Sequence, residues 1–309
     1  MARMDTSGAS VDMAEDIKAL ARERRAVILA HCYCPDEVQA AADYVGDSLG
    51  LSRAAADTAA EVIIFAGVHF MAETAVILCP DKKVVLVDPE AGCPMADMIT
   101  ARALAARRAE LPGVEVLTYV NSPAEVKALS DLCCTSSNVA AALRAMKSET
   151  VLMTPDRNLA AYAQKQVPEK KVLLWEGFCP IHHQLEPGAV RKLKEAHPGA
   201  RVLVHPECRP EVLAMSDFIG STTAIVQEAR TSLAREFIIL TETGVRRQLV
   251  LDSPEKTFYF SEAMVCSDMK KNTLAGLRRA VETLAPEIRV PEDIRLRARG
   301  AIEKMLKLA

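Results

Sequence analysis

A set of residues recurs in this chain three times at fixed intervals, and that periodicity constrains the fold more than any other feature. An apolar, strand-like run ends at His31, Tyr119 or His205. Two positions further on stand Tyr33, Asn121 and Glu207. Twelve after each strand end come Asp43, Asp131 and Asp217, and five after those Ser48, Ser136 and Thr222. A cysteine then follows the strand end by 62, 60 and 61 residues: Cys93, Cys179 and Cys266, spaced 86 and 87 residues apart. That period exceeds the solenoid repeats. It reads as three small domains: residues 1–111 with an N-terminal helix, 112–199, and 200–309 with a C-terminal helix.

Within each repeat, strand and helix alternate. The first repeat predicts helices over 12–24, 37–42, 49–60, 71–78 and 94–110, with strands at 26–30, 62–65 and 84–87. Later strands are expected at 114–118, 151–153, 201–204 and 237–240, and a terminal helix at 293–308. The apolar run after Lys171 predicts a strand covered on both faces, with Pro180 opening a helix just after Cys179. Such alternation builds a parallel sheet with helices on both faces. The expected fold class is therefore α/β: three pseudo-threefold-related domains, each a small parallel sheet sandwiched by helices, with the active site at their junction. Ligands gather beyond the carboxyl ends of the strands in such sheets, and there the repeated residues are expected.

Composition narrows the function. A net charge of −3 gives no general attraction to nucleic acid or to an anionic membrane. The apolar runs are too short to span a bilayer. The opening M-A-R-M-D-T-S-G-A-S carries no hydrophobic signal segment, so a cytoplasmic, reducing setting is expected. Nine cysteines, an odd number, do not suggest a disulfide framework. Three sulfurs around one pseudo-threefold axis suit a cubane [4Fe–4S] cluster, with three irons held by thiolates and a fourth open to the cavity. A Cys3His zinc site with His182 or His183 as fourth ligand is the alternative. Cys32, Cys34, Cys79, Cys133, Cys134 and Cys208 lack threefold matching and are assigned to packing.

The hydroxyls at Ser48, Ser136 and Thr222 fall at expected helix starts. One alone would read as a helix cap; three together suit a substrate set with several anionic groups. His31, Tyr33, Tyr119, His205 and Glu207 supply acid–base chemistry. His205 and Glu207, two apart on an extended segment, point the same way. His69, His182, His183 and His197 have no counterpart in the repeat. No Walker A or G-x-G-x-x-G sequence indicates a nucleotide.

The strings A-H-C-Y, E-V-Q-A-A-A-D-Y-V-G-D-S-L, A-G-C-P-M-A-D-M, Y-V-N-S, C-T-S-S-N, W-E-G-F-C-P-I-H, V-H-P-E-C, F-I-G-S-T, T-E-T-G and M-V-C-S-D-M-K-K resemble one family: quinolinate synthase, of NAD synthesis. One departure is Cys34, where the family commonly has glutamine. The resemblance implies a [4Fe–4S] cluster on Cys93, Cys179 and Cys266, its open iron acting as a Lewis acid in dehydration. It implies condensation of iminoaspartate with dihydroxyacetone phosphate to quinolinate, releasing phosphate and water. Tyr33, His205 and Glu207 would be catalytic. His31, Ser48, Tyr119, Val120, Asn121, Ser136, Pro206, Ser221 and Thr222 would hold substrate. The enzyme that supplies unstable iminoaspartate is a further implied partner. A radical family that forms diphthamide also resembles this chain in drawing one cysteine from each of three domains, but it does not predict Y-V-N-S or V-H-P-E-C.

Overall fold

The computed structural model describes residues 8–308. The expectation about a leader segment falls mostly on residues 1–7, outside the described residues. Three four-stranded parallel sheets share one topology. The first comprises β1 (Ala26–His31), β2 (Tyr44–Gly46), β3 (Val62–Ala66) and β4 (Lys83–Leu86), in the order β2-β1-β3-β4. The second comprises β5 (Glu115–Tyr119), β6 (Leu132–Cys134), β7 (Thr150–Thr154) and β8 (Lys171–Leu174), in the order β6-β5-β7-β8. The third comprises β9 (Arg201–Val204), β10 (Phe218–Ile219), β11 (Glu236–Leu240) and β12 (Thr257–Phe260), in the order β10-β9-β11-β12. Helices flank every sheet, so the α/β class expected from the repeat is the observed one.

Two compact units carry these sheets. The first runs up to Gly92 and adds Ser267–Val290. Its sheet is centred on β1 and β3, whose A-V-I-L-A-H and V-I-I-F-A runs are buried on both faces, as parallel sheets require. Helices Gly8–Glu23 and Leu274–Thr283 pack on each other, and the latter also packs on β3. The second unit is Cys93–Cys266 with Pro291–Ala309 and holds the other two sheets. Its C-terminal helix, Glu292–Lys307, lays Ala298, Ala301, Ile302 and Met305 inward and packs on β6. Among the described residues no helix is long and apolar enough to cross a membrane.

The Asp register is structural. The Oδ2 of Asp43, Asp131 and Asp217 accepts the N–H of Ile28, Val116 and Val202 at 2.8, 2.8 and 2.7 Å. Each aspartate returns its own N–H to the carbonyl of the same residue. This two-way clasp fixes the entry to the short strand in all three sheets. It explains why the interval of twelve is invariant without any role in chemistry.

Two expectations fail. The strand after Lys171 is not covered on both faces: Lys171 and Leu174 are exposed. As β8 it ends the sheet order, and an edge strand has no neighbour beyond it. The helix expected over 94–110 is broken into a 3-10 turn at Ala96–Met98 and a helix at Ala101–Ala109. Ile99 is extended, and the Thr100 hydroxyl accepts the Ala103 N–H at 3.2 Å. A strong N-cap restarts the helix there.

Candidate functional site

In each sheet the strand order reverses between the first and third strands, the place where open α/β sheets hold ligands. In the first unit His31 closes β1, and its Nδ1 accepts the Tyr33 N–H at 3.1 Å. That acceptor role puts the ring proton on Nε2 when the imidazole is neutral. The two rings meet edge to face with centroids 4.5 Å apart. Lys270 Nζ donates to the Tyr33 carbonyl at 2.6 Å. Ser48 is the first residue of helix Ser48–Asp57, but Asp47 is its cap, accepting the Gly50 N–H.

The second unit repeats the arrangement. Tyr119 closes β5, and the Val120 N–H donates to the Cys134 carbonyl at 2.8 Å. Asn121 Oδ1 is buried and has no hydrogen-bond partner. His205 follows β9, and its Nδ1 faces the Glu207 N–H at 3.4 Å, as His31 faces Tyr33. Pro206 between them is buried. His205 Nε2 lies 3.3 Å from Ser136 Oγ. Ser136 sits in the turn before helix Val139–Ala145, where Asn138 holds the cap position. Thr222 opens helix Thr222–Thr231, capped by Ser221 Oγ on the Ala224 N–H. In all three repeats a neighbour, not the repeated hydroxyl, occupies the cap position.

Glu207 is the centre of this unit's polar cluster. It is buried, with Oε2 2.7 Å from His182 Nδ1 and 3.5 Å from His205 Nδ1. Burial alone would raise its carboxyl. The His205 and His182 charges, with hydrogen bonds from His182 and Tyr119, outweigh burial and hold it down to about 2. Glu207 is therefore a carboxylate at neutral pH. The His182 and His205 rings are tilted at 4.6 Å, and His182 Nε2 lies 3.0 Å from Thr241 Oγ1. His182 Nδ1 is also 3.2 Å from Cys179 Sγ. The sequence offered His182 only as an alternative zinc ligand and not as the partner of Glu207, because it has no counterpart in the other repeats. The available signal was its position three residues after Cys179, on the same face of the short helix Pro180–His183.

The three repeated cysteines are partly exposed and outside any disulfide, whereas the other six are buried. Cys266 acts electrostatically on Cys93, and Cys93 on Cys179. Burial, then Glu207, pushes the Cys179 thiol well up. Burial also pushes Cys93 up to about 12, with Cys266 and Glu207 adding to it. Against this, backbone N–H groups of Ala96 and Met95 reach Cys93, and that of His182 reaches Cys179. A soft three-sulfur donor set with N–H groups aimed at sulfur fits an iron–sulfur cluster. Metal binding would have to displace protons from these thiols. Cys179, His182 and Glu207 also bring their ligand atoms within 4.8 Å of one another. His183 instead meets Asn158 Nδ2 at 3.1 Å and Arg157 Nη2 at 3.3 Å.

Two further buried carboxylates reach the cysteine loops. Asp156 Oδ2 accepts the Cys179 N–H at 2.8 Å, and Glu242 Oε1 accepts the Cys266 N–H at 3.1 Å. Burial, then repulsion from Glu207, pushes the Asp156 carboxyl up.

Residues 15–307 match the model of the family described as Quinolinate synthetase A protein. A quinolinate synthase of Desulforudis audaxviator is 50% identical, over 97% of this chain and 99% of that protein. One of Caldicellulosiruptor saccharolyticus is 48% identical over 95% and 97%, and one of Dehalococcoides mccartyi 49% over 94% and 97%.

Proposed function

The chain belongs to the quinolinate synthase family, enzymes of NAD synthesis, and we propose that it condenses iminoaspartate with dihydroxyacetone phosphate to quinolinate, releasing phosphate and water. The observation that carries the proposal is that Glu207 is buried beside Cys179 and within electrostatic reach of Cys93, which in turn feels Cys266. Cys93, Cys179 and Cys266 would hold a [4Fe–4S] cluster, which when bound supplies a Lewis-acidic iron lacking a protein ligand.

The chain's own residues divide the remaining work. Glu207, ionised and hydrogen-bonded by His182 and Tyr119, is the base that takes a proton from substrate. It is a carboxylate at neutral pH, so it serves as acid only after it has taken a proton. His205 hands protons on through Nε2, which Ser136 Oγ meets. Iminoaspartate carries two carboxylates and the triose a phosphate; Ser136, Ser221 and Thr222 offer hydroxyl donors near helix starts. Asn121 Oδ1, buried without a partner, is an acceptor suited to an imine N–H. Tyr119, Val120 and Pro206 shape the walls around these groups. The roles proposed for His31, Tyr33 and Ser48 rest on their places in the repeat and on the family resemblance, the division into spans 1–111, 112–199 and 200–309 rests on the repeat, and delivery of iminoaspartate by a partner enzyme rests on the resemblance.

The test is anaerobic reconstitution followed by iron and sulfide analysis, with quinolinate measured from freshly generated iminoaspartate and dihydroxyacetone phosphate. Four irons and four sulfides per chain, with product formation, are expected from the cluster. A single zinc with no sulfide would favour a mononuclear site, to which Cys179, His182 and Glu207 are close enough.

A further inference from the structure

The cysteine loops of the second and third sheets are tied down by the same two-bond device. In the second sheet the Arg157 N–H donates to the Gly177 carbonyl at 2.8 Å, and the Cys179 N–H returns to Asp156 Oδ2 at 2.8 Å. In the third, the Thr243 N–H donates to the Met264 carbonyl at 3.0 Å, and the Cys266 N–H returns to Glu242 Oε1 at 3.1 Å. Each carboxylate is the second residue after the third strand of its sheet. Each bonded carbonyl lies two residues before its cysteine. Gly177 is held so closely that an added Cβ would fall 2.6 Å from the Pro155 carbonyl oxygen.

Each carboxylate also spends its other oxygen. Asp156 Oδ1 accepts the Leu159 N–H at 2.7 Å, capping helix Arg157–Gln166. Glu242 Oε2 accepts the Gly244 N–H at 2.6 Å, capping the turn Thr243–Val245. Both side chains are fully buried. In the first sheet the backbone half of the device survives, with the His69 N–H on the Ala91 carbonyl at 2.9 Å. The carboxylate position there is Val68, whose side chain has no acceptor.

We propose that Asp156 and Glu242 are positioning residues that present Cys179 and Cys266 to the cluster. Two oxygens on one rigid group lock each cysteine loop to the switch-point turn of its own sheet. Metal sites depend on such outer partners, whose loss costs roughly 10–100-fold in metal affinity. The proposal rests on the cluster reading above, so its test has an arm that needs no cluster.

Two variants separate clamp from cap. Asp156→Ser keeps a cap for Leu159 but is too short to reach the Cys179 N–H. Glu242→Gln keeps the shape but turns an amide N–H toward one of the two backbone N–H donors. In the metal-free protein, alkylation of Cys179 in Asp156→Ser and of Cys266 in Glu242→Gln should speed up relative to Cys93, the internal reference. In the cluster-loaded protein, iron release to a chelator should accelerate by roughly 10-fold or more in either variant, and in Glu242→Gln the cluster's midpoint potential should rise as negative charge is removed. Unchanged alkylation ratios overturn the clamp, whether or not the parent binds iron. So does a lowered melting temperature with unchanged iron release and potential, which leaves the carboxylates as caps alone. A parent protein that takes up no iron and sulfide sinks the cluster reading, while the alkylation ratios still decide the clamp. If Asp156→Ser does not fold, Glu242→Gln decides by itself.

Discussion

Replacing Glu207 with glutamine tests the centre of the site. The side chain keeps its size and one carbonyl acceptor for His182 Nδ1, but the charge between His182 and His205 is gone. Holding the carboxyl from its ordinary 4.5 down to about 2 corresponds to roughly 3 kcal/mol. That figure is a ceiling for the stability loss, because the retained His182 contact offsets part of it. A pKa depressed in the folded protein stabilises above the unfolded value and ceases to do so as pH falls through the folded value. The melting difference between parent and Glu207→Gln should therefore be steady down to pH 4.5 and shrink toward pH 2. Catalysis should suffer more, because glutamine cannot take a proton: loss of a general base costs roughly 10²–10⁴-fold. The assay is single-turnover quinolinate formation by the anaerobic, cluster-loaded variant beside its parent, with iron content measured on both. No sulfur is touched, so iron should stay at the parent level. A variant turning over within about threefold of the parent, against that scale, would refute Glu207 as the base and make the buried carboxylate purely structural. A melting difference that widened below pH 4.5 would refute the depressed carboxyl.

Alanine at Cys93, Cys179 or Cys266 should abolish the cluster chromophore and activity, while alanine at Cys34, Cys79 or Cys134 should leave iron content near the parent's; visible absorbance and iron analysis decide. Asn121→Ala should weaken substrate binding by about 10-fold, the worth of one hydrogen bond, without lowering the melting temperature, because it removes a buried acceptor that has no protein partner; an unchanged KM would remove Asn121 from the site. Asp217→Ala should lose about 1–3 kcal/mol of stability by orphaning the Val202 N–H, yet bind iron normally; a cluster-free but well-folded variant would contradict its structural role.

The repeat made much of this protein legible from sequence. Strand–helix alternation fixed the α/β class, and equal spacing singled out Cys93, Cys179 and Cys266 from nine chemically identical thiols. Local periodicity works there because a strand's burial pattern and the loop after it are set by neighbours in sequence. It could not tell why an interval was kept: Asp43, Asp131 and Asp217 repeat as faithfully as the cysteines but clasp the backbone of the first strand of each sheet. Nor could it find the pairing of His182 with Glu207, or the parts played by Asp156 and Glu242. His182 meets a carboxylate 25 residues away, and Asp156 and Glu242 meet N–H groups 23 and 24 residues away. Which side chains meet across such gaps depends on where strand order turns and how two loops from different strands are brought side by side. The same holds for the ionisation of Glu207. Sequence supplies a carboxyl of ordinary acidity; two histidines and a tyrosine, gathered by three different loops around a buried oxygen, keep it ionised against the burial that would raise it.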